Sequence, residues 1–287
     1  MAPVIWIDGK YCEKDDAKIS VFDHGLLYGD GVFEGIRVYN HRIFRVEQHL
    51  DRLYASAKAV WLEIPQTRKA LAQILEEAVA KSGIADAYIR LIVTRGIGDL
   101  GLDPRKCPRP TIICIVDHIA LWPVDRYEKG LTAISAATPI HHREGLSPRV
   151  KSLNYLSHIL AKVEGIAAGV DEIIMLDPSG FVAEASGENV FVVSNGGLKT
   201  PPAYSGILRG VTRDAVLELA REATYTVEEV PLNRYDLYTA DEVFLTGTAA
   251  EIIGLTKLDA RTIGTGTPGP ITKELARRFK ALATRGD

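Results

Sequence analysis

Cysteine is scarce in this chain: there are three in 287 residues, Cys12, Cys107 and Cys114. No Cys-x-x-Cys pair occurs, so neither a disulfide framework nor a zinc ribbon is expected. His141-His142 has no further ligands at metal spacing, and no metal site is expected. No apolar run is long enough to span a bilayer. The start, Met1-Ala2-Pro3-Val4, lacks the basic, apolar and small-residue succession of a signal peptide. A positive excess is missing too: 34 Lys and Arg face 37 Asp and Glu, a net charge of -3, which gives nucleic acid or an anionic membrane no field to follow. Gly96-Ile97-Gly98 lacks the third glycine and the strand–helix context of a dinucleotide fold, and no Gly-x-Ser-x-Gly elbow appears. Internal repeats and low-complexity segments are absent as well. What remains is the expectation of a cytoplasmic globular protein of ordinary composition, 46% hydrophobic and 25% charged, long enough for one large domain or two medium ones.

Periodicity then divides the chain. Val4-Ile5-Trp6-Ile7 reads as a strand, and Ile36–Tyr39 with Arg42–Phe44 as a hairpin about Asn40-His41. Leu50, Leu53, Tyr54, Ala57 and Val60 share one helical face, and a second helix runs from Thr67 to Ser82, closed by Gly83. Tyr88–Thr94 and Thr111–Val116 are rich in β-branched residues and read as strands about a glycine-rich loop at 96–104. A connector with Pro123 follows. Further strands are expected at Leu131–Ala136, Glu172–Leu176, Phe181–Ala185, Asn189–Ser194 and Glu242–Thr246, with helices at Asn154–Ala168, Val211–Ala223 and Ile271–Leu282. The reading is α+β in two domains, 1–118 and 129–287, joined by a connector at 119–128.

Four groups of residues are able to carry chemistry. Lys151 stands among small and polar neighbours just ahead of a helix. Most lysines are solvated surface residues, but one held partly buried loses proton affinity and becomes a nucleophile. Glu184 follows 33 positions later at a strand end, with Ala185-Ser186-Gly187 leaving room for a flat ligand; the plainer reading is a solvent-facing acid beside Glu188. Gly206–Arg213 opens a helix with free N–H groups and Thr212, and Thr246–Glu251 is a second small-residue turn, so each either binds an anion or is simple capping. Arg52 is offset from its helix's apolar face, where its fork reaches a phosphate or only water. Tyr28, Phe33, Arg37, Tyr88 and Arg90 mix aromatic and cationic groups. They suit a pocket for both an apolar side chain and a carboxylate, or else a partly covered sheet face.

Together, Tyr28-Gly29-Asp30-Gly31-Val32-Phe33-Glu34-Gly35-Ile36-Arg37, His49–Leu53, Lys151–Leu156, Glu184–Asn189 and Gly247–Ile252 resemble the fold-type IV pyridoxal-phosphate enzymes. Among these the chain looks most like the branched-chain amino acid aminotransferases, from about Trp6 to Phe279. The resemblance implies a small N-terminal α/β domain and a larger C-terminal domain with a pseudo-barrel of strands. It implies that Lys151 forms the Schiff base with pyridoxal 5'-phosphate, that Glu184 pairs with the pyridine nitrogen, and that Tyr155 bonds the phenolic oxygen. Arg52, Val211, Thr212, Gly247 and Thr248 would hold the phosphate, with Leu208 against the ring. Tyr28, Phe33, Gly35, Arg37, Tyr88 and Arg90 would shape the substrate pocket, and Ala249 and Ala250 would meet the α-carboxylate. A homodimer or higher oligomer is implied, with the loop around Leu102 acting across the interface.

The implied activity is transfer of the amino group of leucine, isoleucine or valine to 2-oxoglutarate. Within the same fold type, D-amino acid or (R)-amine aminotransferase and aminodeoxychorismate lyase are alternatives, and a non-catalytic phosphate-ligand binding protein is a rival of another class. The D-amino acid enzymes resemble a pattern with Arg-x-His after the pocket strand, where this chain has Arg95-Gly96-Ile97. The connector around Trp122 departs from the better-known bacterial pattern.

Overall fold

A computed structural model describes residues 2–142 and 144–285. Two compact units emerge: the chain up to Ile119 together with Val150–Asn154, and Ala120–Arg149 together with Tyr155–Arg285.

The first unit holds β1 (Val4–Ile7), β2 (Lys10–Cys12), α1 (His24–Tyr28), β3 (Gly31–Tyr39), β4 (Arg42–Ile43), α2 (Val46–Ala59), α3 (Arg68–Ser82), β5 (Tyr88–Thr94) and β6 (Thr111–Asp117). The strands form one antiparallel sheet in the order β2-β1-β6-β5-β3-β4. Alternation sends Val32, Ile36, Val38, Ile89, Leu91 and Val93 to one face, where Leu50, Leu53 and Ala57 of α2 and Leu71, Leu75 and Ala78 of α3 bury them. Each large apolar side chain so buried contributes about 1.5–3 kcal/mol. Thr67 caps α3 by accepting a hydrogen bond from Ala70 N–H at 3.2 Å. Val150–Asn154 joins this unit by lying along the first half of β3. Phe33 N–H donates to Lys151 O and Leu153 N–H to Gly31 O, both at 3.0 Å. This pairing links residues more than a hundred positions apart, and spacing alone does not reveal it.

The second unit holds α4 (Val124–Lys129), β7 (Leu131–Ser135), α5 (Leu156–Ala167), β8 (Glu172–Leu176), β9 (Val182–Ala185), β10 (Asn189–Ser194), β11 (Gly197–Thr200), α6 (Val211–Glu222), β12 (Val227–Glu229), α7 (Arg234–Tyr238), β13 (Glu242–Gly247), β14 (Glu251–Leu258), β15 (Arg261–Thr262) and α8 (Pro270–Arg285). The stretch forming β14 is unassigned by periodicity, since Ile252–Leu255 is a continuous apolar run that suits strand or helix equally. The implied pseudo-barrel is a closed ring: β10-β13-β14-β7-β8-β9, with β9 pairing back to β10. The closing register pairs Glu184 with Asn189, and Asn189 on its other side opposes Thr246 of β13. Closure leaves no free edges within the ring, and Leu131, Ile174, Val190, Val243, Leu245, Ile253 and Leu255 form its core. Trp122 packs, partly buried, on that core.

Candidate active site

In the first unit the register of β3 on β5 opposes Phe33 to Ile92, Gly35 to Arg90 and Arg37 to Tyr88. Strand alternation therefore collects Phe33, Gly35, Arg37, Tyr88 and Arg90 on the face away from the helices. The Arg90 guanidinium lies over the Phe33 ring at 4.7 Å and the Tyr88 ring at 5.5 Å, and Arg37 lies over Tyr39 at 5.0 Å. Lys151 Nζ lies 4.6 Å from the Phe33 ring centroid, so the lysine reaches this same face. A Cβ at position 35 would run into the Tyr88 hydroxyl, so any larger residue there displaces Tyr88.

Tyr28 and Leu102 belong to another cluster. The Tyr28 hydroxyl accepts from Gly101 N–H at 3.0 Å, its ring meets His24 edge-on at 5.0 Å, and His24 Nε2 donates to Asp99 O at 2.9 Å. Leu102 is 82% exposed.

On the opposite face of β3, Glu34 is fully buried. Arg52 of α2 donates to it from Nε and Nη2, both at 2.7 Å, and His49 donates from Nδ1 at 2.8 Å. Burial pushes the Glu34 carboxyl up, but the charge and hydrogen bonds of Arg52 and His49 outweigh it and hold the group at about 2. Burial in turn lowers the His49 pKa against the pull of Glu34, and the nearby charge of Lys151 adds to the lowering. Arg52 is thus anchored by an acid that sequence reasoning passed over. Its signal was there: an acid between Val32 and Ile36 on an otherwise apolar strand face, with His49 and Arg52 three apart on a helix.

The second unit arranges its residues where the barrel closes. Glu184, 7% exposed, accepts at Oε2 from Leu208 N–H at 2.9 Å and from Asn189 Nδ2 at 3.4 Å. Asn189 also donates to Leu208 O at 2.8 Å, so one amide ties β9, β10 and the approach to α6 together. His158 Nε2 lies 3.6 Å from Glu184 Oε1 and stacks on Tyr155 at 4.5 Å. His158 carries no periodicity or motif signal of its own, and Asn189 lies in the Glu184–Asn189 segment without a role being legible there. Val211 and Thr212 form the first turn of α6, whose N-cap, Gly210, supplies no side-chain cap. A Cβ on Gly210 would collide with Asn189 Oδ1, so glycine is what lets the turn sit there. Gly247, Thr248, Ala249 and Ala250 form the turn from β13 into β14. Glu188 lies under that turn and is buried. Its pKa is raised by burial first and then by the charge of Glu172, whose own carboxylate takes Lys162 Nζ at 2.6 Å.

Pyridoxal phosphate presents a pyridine nitrogen, a phenolic oxygen, an aldehyde and a phosphate, and this donor set fits it. Among the described residues Glu184 has no lysine or arginine partner, which suits a buried acid that meets a cationic ring nitrogen. Thr246 Oγ1 is buried without a hydrogen-bond partner, and the N–H groups opening α6 have no side-chain cap, which suits a bound anion.

The family model for amino-transferase class IV matches residues 31–258. The chain belongs to that family. A relative from Methanocaldococcus jannaschii is 51% identical over 281 residues, covering 98% of this chain and 96% of its own. The branched-chain-amino-acid aminotransferase of Pseudomonas aeruginosa is 37% identical and covers 98% of this chain and 93% of its own. Among solved structures, the class IV fold recurs in the branched-chain amino acid aminotransferase of Escherichia coli, with a TM-score of 0.96, 35% identity and coverage of 99% and 96%. The T.th. enzyme of the same name, solved with pyridoxamine 5'-phosphate, gives 0.95 at 36% identity, with coverage of 99% and 95%.

Proposed function

We propose that this chain is a pyridoxal-phosphate-dependent branched-chain-amino-acid transaminase, moving the amino group of leucine, isoleucine or valine to 2-oxoglutarate. The observation that carries the reading is the β3–β5 face, where two arginines stand among aromatic rings beside Lys151. A transaminase of this kind accepts an apolar chain in one half-reaction and a carboxylate-bearing chain in the other. Phe33 and Tyr88 provide the apolar walls, and Arg90 or Arg37 the charge for the γ-carboxylate.

When bound, the cofactor supplies a ring that withdraws electrons from the substrate Cα. Lys151 Nζ would hold the cofactor's aldehyde carbon, and its amine would move the substrate Cα proton. Glu184 keeps a proton on the pyridine nitrogen. Tyr155 bonds the phenolic oxygen, and Leu208 lies against the ring. Val211, Thr212, Gly247 and Thr248 give the phosphate N–H and hydroxyl donors, and Arg52 gives it charge. Ala249 and Ala250 offer backbone N–H groups to the α-carboxylate.

The alternative of D-amino acid specificity loses support from Arg95. Its guanidinium is committed to Asp30 at 2.9 and 3.0 Å and to the carbonyls of Val60 and Trp61 at 2.7 and 2.6 Å. The direct test presents L-leucine, D-alanine and (R)-1-phenylethylamine separately with 2-oxoglutarate. L-leucine should turn over fastest, and faster turnover of D-alanine or the amine would overturn the reading.

A homodimer is part of the proposal. Along α5, Leu156, Ile159, Leu160, Val163 and Ile166 are each 51–68% exposed at helical spacing, an apolar stripe suited to a second copy of this chain. Phe22, Leu26 and Tyr28 form another exposed apolar patch with Ile97, Leu100 and Leu102. Sedimentation should give a dimer or larger, and Val163→Glu should dissociate it. No described helix is long and apolar enough to cross a membrane. The cytoplasm is the compartment proposed, since Cys12, Cys107 and Cys114 are all free thiols.

A further inference from the structure

The first turn of α5 carries two polar side chains, Ser157 and His158. Ser157 Oγ lies 3.0 Å from His141 Nε2 and 3.4 Å from His158 Nδ1. The far nitrogen of His158, Nε2, faces Glu184 Oε1 at 3.6 Å. His158 is 7% exposed, while His141 is half-buried. The His158 ring also lies nearly parallel to that of Tyr155, with planes 22° apart.

The hydroxyl of Ser157 has one hydrogen, which fixes how this chain of groups is wired. If Ser157 donates to His141, neutral His158 must donate from Nδ1 to Ser157, and a bare Nε2 lone pair then faces an anionic carboxylate. If Ser157 donates instead to His158 Nδ1, His141 donates to Ser157, and His158 turns an Nε2–H toward Glu184. Of these two neutral arrangements only the second has every polar atom meeting its opposite, and a doubly protonated His158 would turn the same Nε2–H toward Glu184. The hydrogens run one way, from half-buried His141 through Ser157 and His158 to Glu184.

Glu184 Oε2 is already fixed by Leu208 N–H and Asn189. Oε1 is left to His158. We infer that His158 is a positioning residue: it braces the Glu184 carboxylate with an oriented N–H while its ring face holds Tyr155 in place. One side chain thereby steadies two of the second-unit residues assigned to the cofactor ring. This inference rests on the reading that Glu184 holds the pyridine nitrogen.

The test uses holoenzyme reconstituted with pyridoxal phosphate carrying 15N at the pyridine nitrogen, read by its chemical shift alongside kcat and KM. Wild-type enzyme should show the shift of a protonated pyridine. In His158→Phe, which keeps a flat ring and removes the donor, the shift should move toward neutral pyridine. Its kcat should fall about tenfold, for loss of an N–H directed at a charged carboxylate, with KM for leucine held within about twofold. His158→Gln, whose amide reaches the Nε2 position, should recover most of both. Ser157→Ala should move the shift the same way by less, and it keeps the proposal testable if the His158→Phe protein does not fold. A wild-type shift in His158→Phe, or in Ser157→Ala where the first does not fold, overturns the inference. Glu184→Gln separates the two readings. If it moves the shift while the His158 and Ser157 variants do not, only the bracing role is lost; if it too leaves the shift unmoved, the Glu184 assignment falls and this inference with it.

Discussion

The two units handle buried carboxylates in opposite ways. In the first, one acid, Glu34, receives the Arg52 guanidinium and a hydrogen bond from His49, both on α2, and its carboxyl is held at about 2. In the second, Glu172, Glu184 and Glu188 are buried near one another with Lys162 and His158 as the basic groups paired to them, and Glu188 is pushed upward. The same side-chain chemistry thus gives a permanent anion in one place and a proton-retaining acid in the other, because Glu34 has an arginine bonded to it whereas Glu188 has another acid, Glu172, beside it. The consequence is functional. The first unit ties up its acid on the helix side of the sheet and leaves Arg37, Arg90 and Lys151 as the charges on the other face, which suits anionic substrates. The second keeps a carboxylate in excess at the barrel closure, which suits a cationic ring nitrogen.

The contrast is broken most severely by Lys151→Ala. Removing the one amine over Phe33 should lower transamination by about ten-thousand-fold, the upper range for loss of a proton-transferring group. It should also abolish the covalent attachment seen as a mass increase after borohydride reduction of the yellow wild-type protein. A variant still modified by borohydride would place the attachment on another lysine.

Lys151 itself stands out in the sequence, because its neighbours resemble a family pattern that runs over nearly the whole chain. Its partners in the fold do not. Lys151 is held in place by backbone bonds to Phe33 and by Ser56 Oγ, which accepts from Lys151 N–H at 3.1 Å. These are non-local pairings, and local propensity carries no information about them. Phe33, Gly35, Arg37, Tyr88 and Arg90 were legible because strand alternation is a two-residue rule that survives in any sheet, and register then brings the two strands' sets together. Glu34 and His49 were missed because an apolar face containing one acid reads as a flaw until the helix that answers it is placed. Asn189 was missed because its role lies in closing a ring, a property of six strands at once.

The next effect is on stability. Glu34 has a folded value near 2 against an unfolded 4.5, so its stabilisation is fully present above 4.5 and disappears as the pH falls toward 2. Glu34→Gln should therefore cost about 3 kcal/mol in urea unfolding at pH 7, following from the size of that shift. The gap from wild type should narrow at pH 3. A gap that stays constant between the two pH values would mean that the carboxylate's charge is not what Arg52 and His49 recognise.

Arg90→Ala sharpens the comparison on the substrate side. Loss of one partner from a desolvated charge pair should lower kcat/KM for glutamate by about a hundredfold while leucine changes by only a few-fold. Equal losses for both would move the γ-carboxylate contact away from Arg90, and Arg37→Ala then decides whether the neighbouring arginine carries it.

Glu188 provides the cleanest contrast with Glu34. Its raised value means that the folded protein keeps a proton which the unfolded chain has released, so stability declines as the pH climbs above 4.5 through the folded value. Glutamine stays neutral throughout and removes that slope. Holoenzyme carrying Glu188→Gln should melt close to wild type at pH 5 and several degrees above it at pH 8.5. A variant that melts lower at both pH values would show that the Glu188 carboxyl, in whichever protonation state, makes contacts that the amide does not reproduce. The crowding of acids at the barrel closure would then be a packed network, and the opposition between the two units would rest on Glu34 alone.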